Sequence, residues 1–318
     1  MNGFIHTRIC DLLGIEYPIL LGGMVYVSYA PLVARVSEAG GLGVIAGGSF
    51  LTKEEIKKEI EKTRKLTDKP FALNIPMIYP TASELIDIAI ESKLKVVITS
   101  AGSSSTFTQK LHDAGIKVGH VVPSAKLAKK AYNAGVDFII AEGIEAGGHD
   151  SPLEITTMVL IPQVVDNVKI PVVAAGGMAD YRGFVAARAL GAQGIQMGTR
   201  FIASIEAPVH DAFKQAIIKA EDDSTILTGR SIGKPVRVIK NKLSEQILAL
   251  EKSAVTEMEL LSFIGPGRSR AAAIEGDVEN GSVMSGEIAG LISSIKSVEE
   301  IMHEIVSGSQ TLLKELVP

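Results

Sequence analysis

The chain of 318 residues contains no tryptophan and only one cysteine. A single thiol, Cys10, cannot form an intrachain disulfide or a metal site built from several thiolates. The sequence also lacks an excess of charge of one sign, because 32 Lys and Arg residues stand against 36 Asp and Glu. The resulting net charge of −4 disfavours general binding to nucleic acid, whose affinity comes mainly from neutralised phosphates.

Long apolar runs are also missing. The longest stretch without a charged residue, 17–34, is interrupted by two adjacent glycines, a serine and a proline, whereas a membrane span needs about 20 mostly apolar residues. The first twenty residues carry Asp11 and Glu16 and lack the basic start of a signal peptide. We therefore expect no membrane segment and a cytoplasmic location, which also suits the single thiol.

Short apolar runs recur along the first two thirds of the chain and predict buried strands. Eight such runs begin near Pro18, Gly43, Phe71, Lys95, Lys117, Asp137, Pro171 and Gly194. Continuously apolar strands are typical of a parallel sheet that is covered on both faces. Segments with helical spacing lie between them, at 52–66, 82–92, 106–114, 125–134 and 181–190. The first of these begins with a capping pattern, formed by Thr52 and Glu55.

Alternating strands and helices predict an α/β fold of the (β/α)8 or TIM barrel class, for which about 250 residues are typical. An open doubly wound sheet is the competing fold, but the loop after the first strand lacks the third glycine of a dinucleotide fingerprint. We place the barrel at 1–219 and a smaller helical cap region for substrate at 220–318. The last helix of that region, 297–316, is a candidate for packing back on the barrel.

Glycines follow the seventh and eighth predicted strands. The seventh strand ends in Ala-Gly-Gly at 175–177, and the eighth ends in Gln-Met-Gly-Thr at 196–199. Glycine lets backbone N–H groups approach an anion closely, and these two loops form the usual phosphate site of the barrel. Tight turns alone would also use glycine, but two such loops on adjacent strands favour a phosphate site.

The loop after the sixth strand carries the candidate catalytic residue. The segment 142–149 reads Glu-Gly-Ile-Glu-Ala-Gly-Gly-His, so His149 lies in a glycine-rich loop rather than on an apolar face. An imidazole with its ordinary pKa of about 6.5 suits proton transfer near neutrality. Asp150 follows, and its carboxylate would raise the pKa of His149 if it faced the ring, or have little effect if it faced solvent.

The remaining histidines predict no metal site. They are His6, His112, His120, His210 and His303, and no pair of them has zinc-ligand spacing together with a carboxylate. We interpret them as structural or solvated residues. His120 is the exception that we keep for closer examination, because it lies on the fifth predicted strand.

Residues after other strands suit the edge and face of a flat ring. Gly22, Gly23 and Met24 follow the first strand, Asn74 follows the third and Gly102 follows the fourth. An asparagine amide both donates and accepts hydrogen bonds, and methionine packs well on ring faces. With the phosphate site, these residues predict either a phosphorylated aromatic cofactor such as flavin mononucleotide (FMN) or a sugar-phosphate substrate.

Longer motifs carry a family resemblance over nearly the whole chain. They are Gly-Gly-Met at 22–24, Glu-Ala-Gly-Gly-Leu-Gly at 38–43, Glu-Ala-Gly-Gly-His at 145–149, Gly-Thr-Arg-Phe at 198–201 and Gly-Asp at 276–277. Together they resemble the FMN-dependent nitronate monooxygenase, or 2-nitropropane dioxygenase-like, superfamily. The stretches 236–241 and 281–284 are similar to its enoyl-acyl-carrier-protein reductase II branch.

The resemblance implies reduction of a trans-2-enoyl-acyl-carrier-protein in fatty acid synthesis, with FMN as cofactor and NADH or NADPH as electron donor. It implies that His149 donates the proton or polarises the thioester. The residues that it implies for cofactor binding are Gly22, Gly23, Met24, Asn74, Gly102, Glu142, Gly148, Ala175, Gly176, Gly177, Gln196, Met197, Gly198 and Thr199. Members of the superfamily often respond to monovalent cations, although no residue here identifies an ion site.

Three alternatives stay open at this point: a nitronate monooxygenase that uses oxygen, an NAD(P)H:quinone reductase, and a barrel that binds a phosphorylated ligand without catalysis. The substrate is then a small molecule or an acyl group on a carrier protein. Basic residues cluster at 234–242 and at 126–130. We interpret the first cluster as a docking site for an acidic carrier protein or for nicotinamide dinucleotide phosphates, and the second as a solvated face. The sequence allows a homodimer.

Overall fold

The structure, a computed structural model, describes residues 2–253 and 255–316. Its strands are β1 (Ile19–Leu21), β2 (Gly43–Ala46), β3 (Phe71–Pro76), β4 (Val96–Ser100), β5 (Lys117–Val122), β6 (Phe138–Glu142), β7 (Gly148–His149), β8 (Val172–Ala175), β9 (Gly194–Met197), β10 (Thr225–Thr228) and β11 (Val236–Ile239). Each of the eight apolar runs of the sequence forms one strand, and the three others are β7, β10 and β11.

The helices fall mainly between the strands. They are α1 (Asn2–Ile5), α2 (Arg8–Leu13), α3 (Ala30–Glu38), α4 (Lys53–Leu66), α5 (Ala82–Glu91), α6 (Thr108–Asp113), α7 (Ala125–Asn133), α8 (Thr157–Asn167), α9 (Tyr181–Ala189), α10 (Thr199–Ile202), α11 (Asp211–Ile218), α12 (Lys242–Lys252), α13 (Glu257–Ile264), α14 (Arg268–Arg270) and α15 (Val298–Leu316). The predicted cap of α4 is present, since Thr52 Oγ1 accepts a hydrogen bond from Glu55 N and Glu55 Oε2 accepts one from Thr52 N.

Eight parallel strands form the barrel, in the order β1-β9-β8-β6-β5-β4-β3-β2. Leu20 and Leu42 pair across the remaining gap between β1 and the start of β2, where Leu21 N donates to the carbonyl oxygen of Leu42 at 2.9 Å. The strands are almost entirely buried, because side chains fill the barrel and helices cover its outside. The predicted TIM barrel is confirmed.

Helix α15 takes the eighth position in the outer ring of helices. It packs against α9 and α3, the helices that follow β8 and β1. A Cβ added to Gly308 would lie 2.5 Å from the ring of Tyr181 in α9, so the two helices are in close contact. The last helix of the chain thus packs back on the barrel, although about a hundred residues separate it in sequence from β9, the last barrel strand.

The C-terminal segment before α15 departs from the prediction of a helical cap. It contains α12 and α13, but also β10 and β11, which form an antiparallel hairpin. β11 pairs in turn with β7, the short strand that carries His149. These two strands, Thr-Ile-Leu-Thr and Val-Arg-Val-Ile, contain polar residues and so lack the continuous apolar run by which the barrel strands were recognised. Within the described ranges, no helix is both long and apolar enough to cross a membrane.

Candidate active site

A cavity of about 820 Å³ opens at the carboxyl ends of the barrel strands. Its floor and walls come from the loops after the strands, and residues of the segment 267–288 cover part of it. This is the end of a barrel at which the strand-to-helix loops converge. The volume lies in the upper part of the range of roughly 300–1,000 Å³ that is usual for ligand pockets.

The structure brings nearly all of the predicted site residues to this cavity. Those that line it are Gly22, Gly23, Met24, Asn74, Gly102, Glu142, Gly148, His149, Ala175, Gly176, Gly177, Gln196, Gly198 and Thr199. Met197 is not among the lining residues, and its place in the site stays a prediction. Its side chain is buried in the hydrophobic core, because successive side chains of a strand point to opposite faces and Gln196 takes the inward position.

The loop after β8 is shaped for a close approach of backbone groups. Gly176 and Gly177 have φ angles of +84° and +74°, which side-chain-bearing residues rarely adopt. A Cβ on Gly176 would lie 2.6 Å from the carbonyl oxygen of Gly143, so no side chain fits there. Gly198, after β9, is also confined, since its Cβ would lie 3.2 Å from Met24 Sδ.

Backbone N–H groups of these two loops are free to bind a ligand. Within the described part of the chain, no acceptor is hydrogen-bonded to the N–H of Gly177, Gly198 or Thr199. Buried N–H groups are almost always paired, so several free ones on a cavity wall indicate a site for an anion. The hydroxyl of Thr199 is already engaged, accepting a hydrogen bond from Gly286 N at 2.9 Å.

Asn74 is held in place at the opposite wall. Its Nδ2 donates to the carbonyl oxygen of Ile98 and to Ser100 Oγ, each at 3.3 Å. The backbone of Gly23 passes so close that an added Cβ would lie 2.6 Å from Asn74 Cβ. Nearby, Tyr26 adopts a φ of +64°, a conformation that costs free energy and often occurs at binding sites.

His149 lies on the cavity wall because β11 holds its loop. It pairs with Val236, and the next residue, Asp150, donates its N–H to the carbonyl oxygen of Pro235 at 2.9 Å. The ring is accessible to the solvent of the cavity. The surrounding protein lowers its pKa from 6.5 by desolvation, which leaves the imidazole neutral near neutral pH.

Two carboxyl groups share this part of the cavity. Burial raises the pKa of Glu142 to about 7. Burial, and then the charge of Glu142, raise the pKa of Asp150 to about 8, with Arg237 opposing the shift. Asp150 Oδ2 is buried and has no hydrogen-bond partner among the described residues. Asp150 is therefore largely protonated at neutral pH, and desolvation alone lowers the pKa of His149, with no opposing effect from the Asp150 charge.

Arg237, on β11 of the C-terminal segment, binds the loop that follows β6. Its buried guanidinium donates from Nε to the carbonyl oxygen of Ile144 at 3.0 Å and lies 2.9 Å from Glu287 Oε1. In the same basic cluster, Lys234 pairs with Glu257 and Lys240 with Asp223. The cluster at 234–242 is thus mostly neutralised within the protein, which argues against its predicted role as a docking site.

His120 is a cavity residue that the sequence only hinted at. It lies on β5, where its buried ring is bonded through Nδ1 to Thr99 Oγ1 at 2.7 Å. Burial lowers its pKa to about 4, so the ring is neutral at physiological pH. Its position on a barrel strand was the available signal, but the direction of its side chain required the register of β5 against β4 and β6.

Comparison with known proteins identifies the family. A family model described as nitronate monooxygenase matches residues 6–89 and 81–308. A (3aS,4S,5R,7aS)-5-hydroxy-7a-methyl-1-oxo-octahydro-1H-indene-4-carboxyl-CoA dehydrogenase of Mycobacterium tuberculosis is 32% identical, with 98% of both chains covered. A probable nitronate monooxygenase of Staphylococcus saprophyticus is 31% identical, covering 96% of this chain and 98% of the relative.

Solved structures agree in fold over 98% of the chain. FabK from Thermotoga maritima superimposes with a TM-score of 0.94 at 43% identity, with 98% of both chains covered. A nitroalkane oxidase from Streptomyces ansochromogenes gives a TM-score of 0.82 at 26% identity, with 98% of this chain and all of the other covered. Because the family model and these relatives span nearly the full length, the chain is an enzyme that belongs to the nitronate monooxygenase family.

Proposed function

We propose that this enzyme is an FMN-dependent enoyl-acyl-carrier-protein reductase that uses NADH or NADPH. The observation that carries the proposal is one cavity that is lined by the glycine loops, by His149 and by the exposed residues Leu127 and Lys130. Such a cavity has room for a cofactor and for an extended acyl chain at the same time. The similarity to FabK, an enoyl-acyl-carrier-protein reductase II, supports the same activity.

The residues present fit FMN. The free N–H groups of Gly177, Gly198 and Thr199 suit its phosphate, and the positive φ of Gly176 and Gly177 lets the backbone approach it. On the other wall, Asn74 offers a fixed amide to the ring edge. The further residues of the proposed cofactor site are Gly22, Gly23, Met24, Gly102, Glu142, Gly148, Ala175 and Gln196.

When bound, FMN would pass a hydride, obtained from the nicotinamide, to the β-carbon of the enoyl thioester. The protein must then stabilise negative charge on the thioester oxygen and provide a proton to the α-carbon. His149 suits the first task, because it is neutral, carries one N–H donor and faces the cavity. For the second task the proton would come from a carboxyl group of the same cavity. Asp150 and Glu142, with pKa values of about 8 and about 7, keep a proton available in the same cavity.

The class of substrate is supported by two relatives of different kinds. FabK acts on a thioester of acyl carrier protein, and the Mycobacterium tuberculosis relative is named for a carboxyl-CoA thioester. Both carriers attach the acyl group through sulfur to a long flexible arm. A cavity of about 820 Å³ that reaches exposed residues such as Leu127 suits a substrate of that shape.

Steady-state oxidation of NADH and NADPH tests this proposal. We expect the FMN-loaded protein to oxidise one of them in a saturable manner that depends on a crotonyl thioester, with one thioester reduced for each nicotinamide oxidised. The proposal would be contradicted if adding the thioester did not raise the rate of nicotinamide oxidation above the basal rate of the reaction with oxygen. Stimulation by a quinone alone would identify a quinone reductase instead.

A second candidate is a nitronate monooxygenase. The family match and the curated relatives of that name favour it, and so does the neutral imidazole of His149, since an unprotonated ring can remove the carbon proton of a nitroalkane. Oxygen uptake with an alkyl nitronate, in the absence of nicotinamide and at a rate above that with any thioester, would favour this activity.

A further inference from the structure

We propose that the acyl carrier protein docks on the basic face of α7, formed by Lys126, Lys129 and Lys130 beside Leu127. This inference rests on the proposed function and names its partner surface. The sequence alone had favoured a solvated face here and had assigned docking to the cluster at 234–242. The positions and ion pairs of the two clusters reverse that assignment.

The start of α7 lies at the mouth of the cavity. The helix follows β5, so its first turns are at the carboxyl end of the barrel, where Ser124 Oγ caps it by accepting a hydrogen bond from Leu127 N. Leu127 and Lys130 line the cavity directly. The three lysines are spaced three and four residues apart, which places them on one side of the helix, and all three are exposed.

The charges of this face are unpaired. The lysines that form ion pairs in the described part of the chain are Lys57, Lys110, Lys117, Lys234, Lys240 and Lys296. None of the three on α7 is among them. In the 234–242 cluster, by contrast, two lysines and Arg237 already face carboxylates. In a protein of net charge −4, an unpaired group of three lysines at an active-site mouth attracts an acidic partner.

Exposed apolar side chains line the same cavity as Lys130. Ile78 is 69% exposed, Leu127 is 41% exposed, and both line the cavity together with Tyr79. A surface with exposed apolar residues beside unpaired cations is typical of a protein interface rather than of a solvated face. A carrier protein bound here would direct its thioester arm past Leu127 into the cavity that contains His149.

Charge reversal at two lysines tests the docking site. The double variant Lys126→Glu/Lys129→Glu leaves the cavity-lining Lys130 intact and adds acidic residues near a helix start, where they are tolerated. The matched control is Lys62→Glu/Lys65→Glu at the end of α4, at the opposite end of the barrel, which has the same spacing and exposure. Each variant is assayed with crotonyl-acyl carrier protein and with the uncharged crotonyl-N-acetylcysteamine thioester.

We expect the α7 variant to raise KM for the carrier-protein substrate by about 10-fold, since charge reversal removes two attractive charges and adds repulsion. Its kinetics with the N-acetylcysteamine thioester and the KM for the nicotinamide should not change. The control should match the wild type with every substrate. Added salt should raise the wild-type KM for the carrier protein and affect the α7 variant less.

An unchanged KM for the carrier-protein thioester, with both thioesters still reduced, would overturn the docking site and leave the proposed function intact. A higher KM for the nicotinamide would assign the lysines to the phosphates of that dinucleotide and also overturn it. If neither thioester is reduced, the proposed function fails. Fluorescence anisotropy of labelled holo-acyl carrier protein then decides docking separately, since equal binding by the wild type and the α7 variant would contradict it.

Discussion

The environment of single residues sets the chemistry of this site. His149 could be selected from the sequence because its loop is rich in glycine and follows a barrel strand. The neutral state of its ring could not be predicted from the sequence, because the pKa depends on how much protein surrounds the ring. The same holds for Asp150, whose raised pKa depends on burial and on Glu142, which precedes it by eight residues but lies in the same cavity.

His149→Ala should retain FMN but lose turnover by about 10²–10⁴-fold, the usual contribution of a general acid or base. The measurements are the flavin absorbance of the purified variant and its rate with a crotonyl thioester. His303→Ala, at an exposed position on α15, is the control and should behave as the wild type. Full activity of the His149 variant would remove the residue from the mechanism, and loss of FMN would make it a structural part of the cofactor loop.

Asp150→Asn should stabilise the protein increasingly as the pH rises. The usual pKa of this carboxyl is 3.8 and its folded value is about 8, so the folded state binds the extra proton between these values. Stability therefore falls as the pH rises through that window, because ionisation is easier in the unfolded chain. The amide does not titrate, and the Tm difference between variant and wild type should grow from pH 5 to pH 8.

Asp68→Asn is the matched control, because Asp68 is exposed. Its Tm difference from the wild type should stay constant over the same pH range. A constant difference for Asp150→Asn as well would contradict the raised pKa of Asp150.

At the scale of elements, the barrel strands were predictable and the cap strands were not. A parallel strand buried on both faces is a continuous apolar run, and each such run forms a strand here. β7 contains only two residues and exists because β11 pairs with it from far along the chain. Local sequence does not encode such a strand. The burial of the Met197 side chain in the core was hidden from the sequence for a related reason, since only the strand register separates inward from outward side chains.

Gly176→Ala should lose most of the bound FMN, measured as the flavin-to-protein absorbance ratio after purification. Its Cβ would lie 2.6 Å from the carbonyl oxygen of Gly143, and the shift needed to relieve that contact would displace the phosphate loop. Gly135→Ala is the matched control. Its φ of +86° imposes a similar strain, about 1–2 kcal/mol, but nothing lies within 4 Å of the new Cβ. If the Gly176 variant retained as much FMN as the control, the proposed role of this loop in binding the phosphate would be contradicted.

At the scale of the whole molecule, one cavity connects segments from almost the entire chain. Gly22 lies near the N-terminus, His149 is central, and residues up to Ile288 contribute from the C-terminal segment. Helix α15 completes the ring only after that segment has crossed the mouth of the barrel. The fold class followed from the alternation of strands and helices. In contrast, the contacts that hold the loop of His149 against the C-terminal segment could be recognised only in the tertiary structure. They are the hydrogen bond from Arg237 to Ile144 and the pairing of β11 with β7.

The central claim is that one cavity holds a flavin that accepts electrons from a nicotinamide and passes them to an enoyl thioester. The most direct measurement is the visible absorbance of FMN-loaded protein mixed with NADH, and separately with NADPH, without oxygen. We predict rapid bleaching by one of the two donors, reversed by stoichiometric crotonyl thioester. Bleaching by neither donor, or bleaching that a quinone but no thioester reverses, would contradict the claim.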